Sequence, residues 1–224
     1  MKKLNHFKAL LAAVFFCSAL YGTILLTEAE SFAQIDMSGT HKDDKIKTIA
    51  LVPFTSKSAL SEELSDDQLA TNERFLTISL YDALTANVAA VKIKPLQESG
   101  AIYNKISSEK PGSYYRDLAV SAGKNLGVDA VMTGVISRYT ERKGSQIGVE
   151  APASVAFSVM LLDTESGEIL WETYFSETQK ALLDNVYDVK KFFKRGAKWI
   201  TADELAKEGA RKSALDFNEY LLEN

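Results

Sequence analysis

Two histidines and one cysteine are all that this sequence offers to imidazole or thiol chemistry. His6 lies in the N-terminal apolar segment and His41 in a polar stretch, so a zinc site, a Ser-His-Asp triad or a histidine base has almost no material. Glycines are too scattered to cradle a phosphate: Gly123, Gly127 and Gly134 do not form a nucleotide fingerprint. No cofactor and no metal is expected. A basic excess is missing too, with 26 Lys and Arg against 30 Asp and Glu. That balance argues against a nucleic-acid binder, whose footprint is basic. Hydrophobic residues at 46% and charged residues at 25% are ordinary for a globular chain.

What is present begins with an export pattern. Lys2, Lys3 and Lys8 precede the apolar run Ala9–Leu26, and Ser31 and Ala33 occupy the small-residue positions of a cleavage site. Residues 1–33 are read as a signal peptide. The same run is at the lower limit for spanning a bilayer, so an uncleaved anchor is the competing reading. Cys17 follows Val14-Phe15-Phe16, whereas a lipoprotein cleavage site wants a small residue before its cysteine. Cleavage after Ala33 leaves 23 basic and 28 acidic side chains and no cysteine. The exported chain would hold together by its core alone in an oxidising compartment. The expected location is the periplasm or outside, with the N-terminal segment as a membrane anchor in the second reading.

Residues 34–45 are polar without period and read as a flexible tether. Residues 46–180 read as a mixed α/β domain. Ile46–Phe54 is a buried first strand ended by Pro53. A long helix follows over about Gln68–Ala90, with Phe75, Ile78, Tyr81, Leu84, Val88 and Val91 as its stripe, widened by Leu76 and Leu80. Val91–Leu96 is a short edge strand protected by Lys92 and Lys94. Gln97–Gly112 is a connection with a helical turn near Ile102–Ile106. A second helix runs over about Tyr114–Leu126, with Ser113 as cap and Gly127 just past its end.

An antiparallel meander then spans Leu126–Phe175. Val155, Phe157, Val159 and Leu161 share one face, as do Ile169, Trp171, Thr173 and Phe175, around the turn Asp163–Gly167. The expected fold is a five-stranded mixed sheet of order 2-1-3-4-5 with both long helices on one face. Residues 181–224 form a helical C-terminal extension packing on the domain. It holds a short amphipathic helix over Asn185–Arg195 and a final helix capped by the Thr201/Glu204 box.

Three segments together carry a resemblance: Ile49–Phe54, Asn125–Gly134 and Leu161–Trp171. In that order and spacing the chain resembles the TolB N-terminal-domain-like and curli-secretion-lipoprotein-like family of bacterial envelope proteins and lipoproteins. The likeness covers about residues 46–180. It implies protein binding and envelope assembly rather than catalysis, and it carries over no catalytic residue. The missing lipobox departs from the lipoprotein members. Glu141–Pro152 is also too short to supply membrane-barrel strands.

Two surfaces are candidates for partner binding. One is the hairpin tip Glu141–Glu150, with Arg142, Lys143, Gln146 and Ile147. The other is a basic-aromatic run containing Lys190, Lys191, Phe193 and Lys194, followed by Trp199, suited to an acidic partner or an anionic membrane surface. The competing reading of that run is aromatic packing with solvated cations. The acidic loop Ser56–Asp67 is a weaker third candidate, its leading reading a solvated approach to a helix.

The leading functional reading is a non-enzymatic periplasmic or membrane-tethered protein-binding domain, accessory to envelope assembly or secretion. Its partners are envelope proteins, with a membrane surface as an additional contact. A glycan or peptidoglycan hydrolase working through paired carboxylates such as Asp163, Glu165 and Glu168 is an alternative. A structural homo-oligomer pairing through the edge strand near Val91 is another.

Overall fold

The first strand is held at its start by one carboxylate. In the computed structural model, which describes residues 46–144, 149–179 and 200–224, β1 is Thr48–Leu51 and β4 is Ala130–Thr140. Asp129, just before β4, accepts from the N–H of Lys47 and Thr48 at 3.0 and 2.8 Å and from the Thr48 hydroxyl at 2.9 Å. β1 then pairs in parallel with β4, Ile49 against Ala130, and on its other side with β3, Lys92–Ile93. Pro53 lacks an N–H and ends β1. The chain resumes as β2, Thr55–Ser56, beside Val135 and Ile136 of β4. β7, Ser154–Asp163, and β8, Ile169–Thr178, complete the main sheet by antiparallel pairing.

The order β3-β1-β4-β7-β8 reproduces the expected 2-1-3-4-5. It differs by β2, an additional short strand off that path. A separate pair joins β5, Lys143–Gly144, to β6, Val149–Ala151.

The helices are α1, Asp66–Asn87, α2, Leu96–Glu109, α3, Tyr115–Leu126, and α4, Ala202–Glu223. The expectation that both long helices of the domain share one face is wrong. Leu76, Leu80 and Leu84 of α1 pack in one cluster with Ile49, Leu51, Met132 and Phe157. Leu118, Ala119 and Ala122 of α3 pack in another with Val52, Val131, Met160 and Leu162. The reason is topological. β3 and β4 flank β1 on opposite sides, so the two crossovers run in opposite directions along the sheet. Crossovers of one hand must then lie on opposite faces.

Three further differences follow from local packing. α1 buries Leu76, Leu80 and Leu84 and packs Phe75 and Tyr81 half-buried on the same cluster, so of the expected stripe only Ile78 turns away, at 40% exposed. The segment expected to be mostly connection is the helix α2, because Ile102 and Ile106 have the far face of the sheet to cover. α3 lacks the Ser113 cap, its N-terminal cap position being Tyr114 with no side-chain bond, whereas Gly127 closes it at φ 63° as expected.

The hairpin follows its alternation. Val155, Phe157, Val159 and Leu161 are all fully buried. A register shift at Leu161/Leu162 places Leu170 rather than Ile169 against the core. Asp163 Oδ1 accepts from the Ser166 N–H and hydroxyl, and Gly167 takes φ 78°, so this acid is turn chemistry. α4 lies beside α1 and over β7 and β8. It starts with the expected Thr201/Glu204 capping box, and Ala202, Ala206, Ala210 and Ala214 are completely buried along it. The helix expected over Asn185–Arg195 lies outside the described residues.

A Cβ on Gly209 of α4 would lie 2.6 Å from Phe175 and 2.8 Å from Phe157, so Gly209→Leu overpacks the core. It should cost about 1–3 kcal/mol in urea unfolding, and unchanged stability would contradict the contact. At Asp129, burial pushes the pKa up, but the Lys47 and Thr48 N–H groups and the Thr48 hydroxyl outweigh it and hold it below 3.8. A depressed carboxyl contributes stability above its unfolded pKa and loses it as pH falls through its folded one. The stability gap between wild type and Asp129→Asn should therefore be constant near neutral pH and narrow below pH 3.8. A gap independent of pH down to full unfolding would refute the clamp.

Candidate functional site

The tip that the sequence marked as a candidate is anchored at its root. Tyr139 of β4 donates to Asp203 Oδ1 of α4. Burial first, and Asp203 second, raise the Tyr139 pKa far above that of an ordinary phenol. One residue past β4, Glu141 Oε2 accepts from the Ala202 N–H at 3.1 Å and Oε1 from the Arg142 N–H at 2.8 Å. Glu141 thus caps α4, where an acid suits the orphan donors of a helix start. Arg142 is half-buried and Lys143 is exposed on β5. Gln146 and Ile147 lie outside the described residues, as do Lys190, Lys191, Phe193, Lys194 and Trp199. Among the described residues, only the neighbours Arg142 and Lys143 of the expected set come together.

A groove that sequence reasoning missed lies at the carboxyl ends of β1 and β3, the place where open α/β sheets take ligands. It has a volume of about 570 Å³. Pro53 follows β1 and Pro95 precedes α2, and the walls are Arg74, Ile78, Tyr81 and Asp82 of α1 with Leu96, Gln97 and Gly100 of α2.

Each wall is fixed. The Phe54 N–H donates to Thr77 Oγ1 at 3.0 Å, and the Thr77 hydroxyl donates to the Glu73 carbonyl at 2.6 Å, which pins the end of β1 to α1. The Lys94 N–H donates to the Ile49 carbonyl at 2.9 Å and the Ser99 hydroxyl to the Pro95 carbonyl at 3.0 Å, which sets the start of α2 beside β1.

The groove floor is apolar, and its two charges stand apart. Arg74 and Asp82 are exposed and make no ion pair among the described residues. Eight positions of α-helix separate them, about 12 Å at 1.5 Å per residue. An extended chain covers that distance in roughly four residues. A Cβ built on Gly100 meets nothing within 4 Å, so one wall of the groove is open for lack of a side chain.

Two further titratable groups neighbour this region in sequence, Glu73 beside Arg74 and Tyr103 one helical turn after Gly100. Burial raises the Glu73 pKa against the opposing contacts of Ser56, and burial together with the Glu73 charge raises that of Tyr103. No three His, Cys, Asp or Glu among the described residues are grouped as metal ligands. The arrangement suits packing against an apolar segment with charges at each end. The signal that could have found it is the pair of prolines ending two short parallel strands. Ile78 hid it by fitting a core stripe.

No family model matches the chain, and no curated protein matches it. Solved structures are similar to it. The PelC dodecamer of Paraburkholderia phytofirmans is 13% identical over 78% of this chain and 89% of its own, with a TM-score of 0.46. Lipoprotein GNA1162 of Neisseria meningitidis is 15% identical over 67% of this chain and 93% of its own, with a TM-score of 0.41. The LpoB C-terminal domain of Salmonella enterica is 17% identical over 62% of this chain and 87% of its own, with a TM-score of 0.37. At this degree of likeness, function is read from the chain's own surface.

Proposed function

We propose that this chain is an exported, envelope-associated protein-binding domain with no catalysis of its own, and that it takes an extended segment of its partner in the groove between α1 and α2. The observation that carries the reading is the groove itself: apolar walls, an open side at Gly100, and single charges of opposite sign at Arg74 and Asp82. Pro53 and Pro95 offer no N–H, so recognition rests on side-chain packing and end charges rather than on strand addition. The segment that fits is apolar, with an acid to meet Arg74 and a base to meet Asp82 about four residues away.

Export is supported by the lysine-flanked apolar run and small-residue pattern of residues 1–33. The envelope role is supported by the resemblance of residues 46–180 to the TolB N-terminal-domain-like family. A non-catalytic role fits the use of the most conspicuous acids. Asp163 is committed to a turn, and Glu165 and Glu168 are exposed beside it.

Gly100→Trp tests the reading, because it fills the groove from a position where the fold has room. Crosslinked envelopes of the source cell should yield a partner with the wild-type chain and lose it with Gly100→Trp at unchanged melting temperature. Arg74→Glu with Asp82→Lys should weaken the same capture about tenfold, the loss of two solvent-exposed charge contacts at roughly 0.7 kcal/mol each. Recovery of the same partner by Gly100→Trp at wild-type yield would sink the groove as the binding site.

A further inference from the structure

The two ends of the sheet differ in a way that the binding role does not explain. At one end β3 is only two residues long, carries the exposed Lys92, and is followed by Lys94. Short length and lysine are how proteins keep an edge from pairing. Val91, where the sequence suggested oligomer contacts, is buried. At the other end, among the described residues, β8 closes the sheet with ten residues. It contains no Lys, Arg or Pro, and it exposes Ile169 and Tyr174, the latter to 63%. Among the described residues, the protections at this edge are limited to Glu172 and Glu177 and to the register shift near Ile169.

The sequence of β8 is also complementary to itself. Trp171 and Phe175 lie on the α4 side, Trp171 against Phe217 with ring centroids 5.1 Å apart and Phe175 beneath the Lys212 ammonium. Glu172 and Tyr174 alternate with them onto the opposite side. Two copies joined edge to edge by a two-fold axis perpendicular to the sheet keep each face on its own side, so opposed residues share parity.

With the axis at Thr173, Trp171 stands opposite Phe175 of the second copy on the α4 side, twice. On the other side Glu172 stands opposite Tyr174, twice, a carboxylate facing a phenol that can donate to it. Aromatic pairs across strands are favourable, and no like charges face each other. We infer that β8 pairs antiparallel with β8 of a second copy of this chain, extending the sheet across a two-fold axis at Thr173. The α1–α2 groove takes no part in this contact, so each protomer keeps its binding site.

The test reads both association and register, by sedimentation velocity on the full chain in detergent solution. Wild type should sediment as a dimer, and Tyr174→Glu, which sets a second carboxylate opposite Glu172 at each of two places, should raise the dissociation constant about tenfold or more. Adding Glu172→Lys to Tyr174→Glu places an opposite-charge pair at both places and should restore the dimer. A structural defect from Tyr174→Glu would not be repaired in this way.

In a Cys17→Ser background, Thr173→Cys should form an intersubunit disulfide under mild oxidation, because the two positions face each other on the axis. A monomer at all concentrations would overturn the inference. So would a dimer indifferent to Tyr174→Glu, which would have its interface elsewhere, such as the N-terminal segment. Failure of the double variant to recover would overturn the register and with it the proposal.

Discussion

Phe157 is the residue around which the described structure closes. It is fully buried on β7, with the Phe54 ring edge-on at 5.9 Å and the Phe175 ring tilted at 5.3 Å. Two glycines make this possible. Phe54 lies where a Cβ on Gly134 would fall, 2.1 Å from the ring, and α4 approaches Phe157 and Phe175 through Gly209. The contact joins three parts of the chain distant in sequence: the end of β1, the central hairpin and the last helix. Aromatic burial of this kind is a large share of what a core without disulfides can draw on.

The consequences reach the groove. Phe54 is locked by Phe157 on one side and through its N–H by Thr77 on the other. Pro53, its neighbour, is therefore a fixed wall rather than a loop residue. α1 turns its leucines toward the sheet and its Arg74–Asp82 flank toward the groove. The start of α2 is set from the far side by Ser99 and Lys94. A surface that does not have to be ordered on contact gains affinity, and the proposed groove is built on helices and strand ends.

Much of the fold was legible because it rests on local pattern. The alternation of β7, the Asp163–Gly167 turn, the Thr201/Glu204 box and the order of the five main strands could all be read from spacing and turn chemistry. What was not legible depends on tertiary context. The face each crossover occupies requires the direction of both connections together, and α1 and α3 were misplaced for that reason. Ile78 satisfied a helical stripe while standing in a groove, since periodicity counts apolar residues without knowing which of them the sheet covers. The site was correspondingly invisible. It is assembled from strand ends, one helix flank and a glycine, with no motif spacing among them. Of the surfaces that the sequence did mark, the tip turns out to be tied to α4 through Glu141 and Tyr139.

In the proposed role a partner's chain lies against Ile78. A photoactivatable amino acid placed at Ile78 and irradiated in intact cells measures that directly. A covalent adduct with one envelope protein is expected, mapped to an apolar segment flanked by an acid and a base. No such adduct should arise from the same group at Leu215, exposed on α4 away from the groove walls. Equal labelling from both positions, or an adduct mapping to lipid alone, would contradict it.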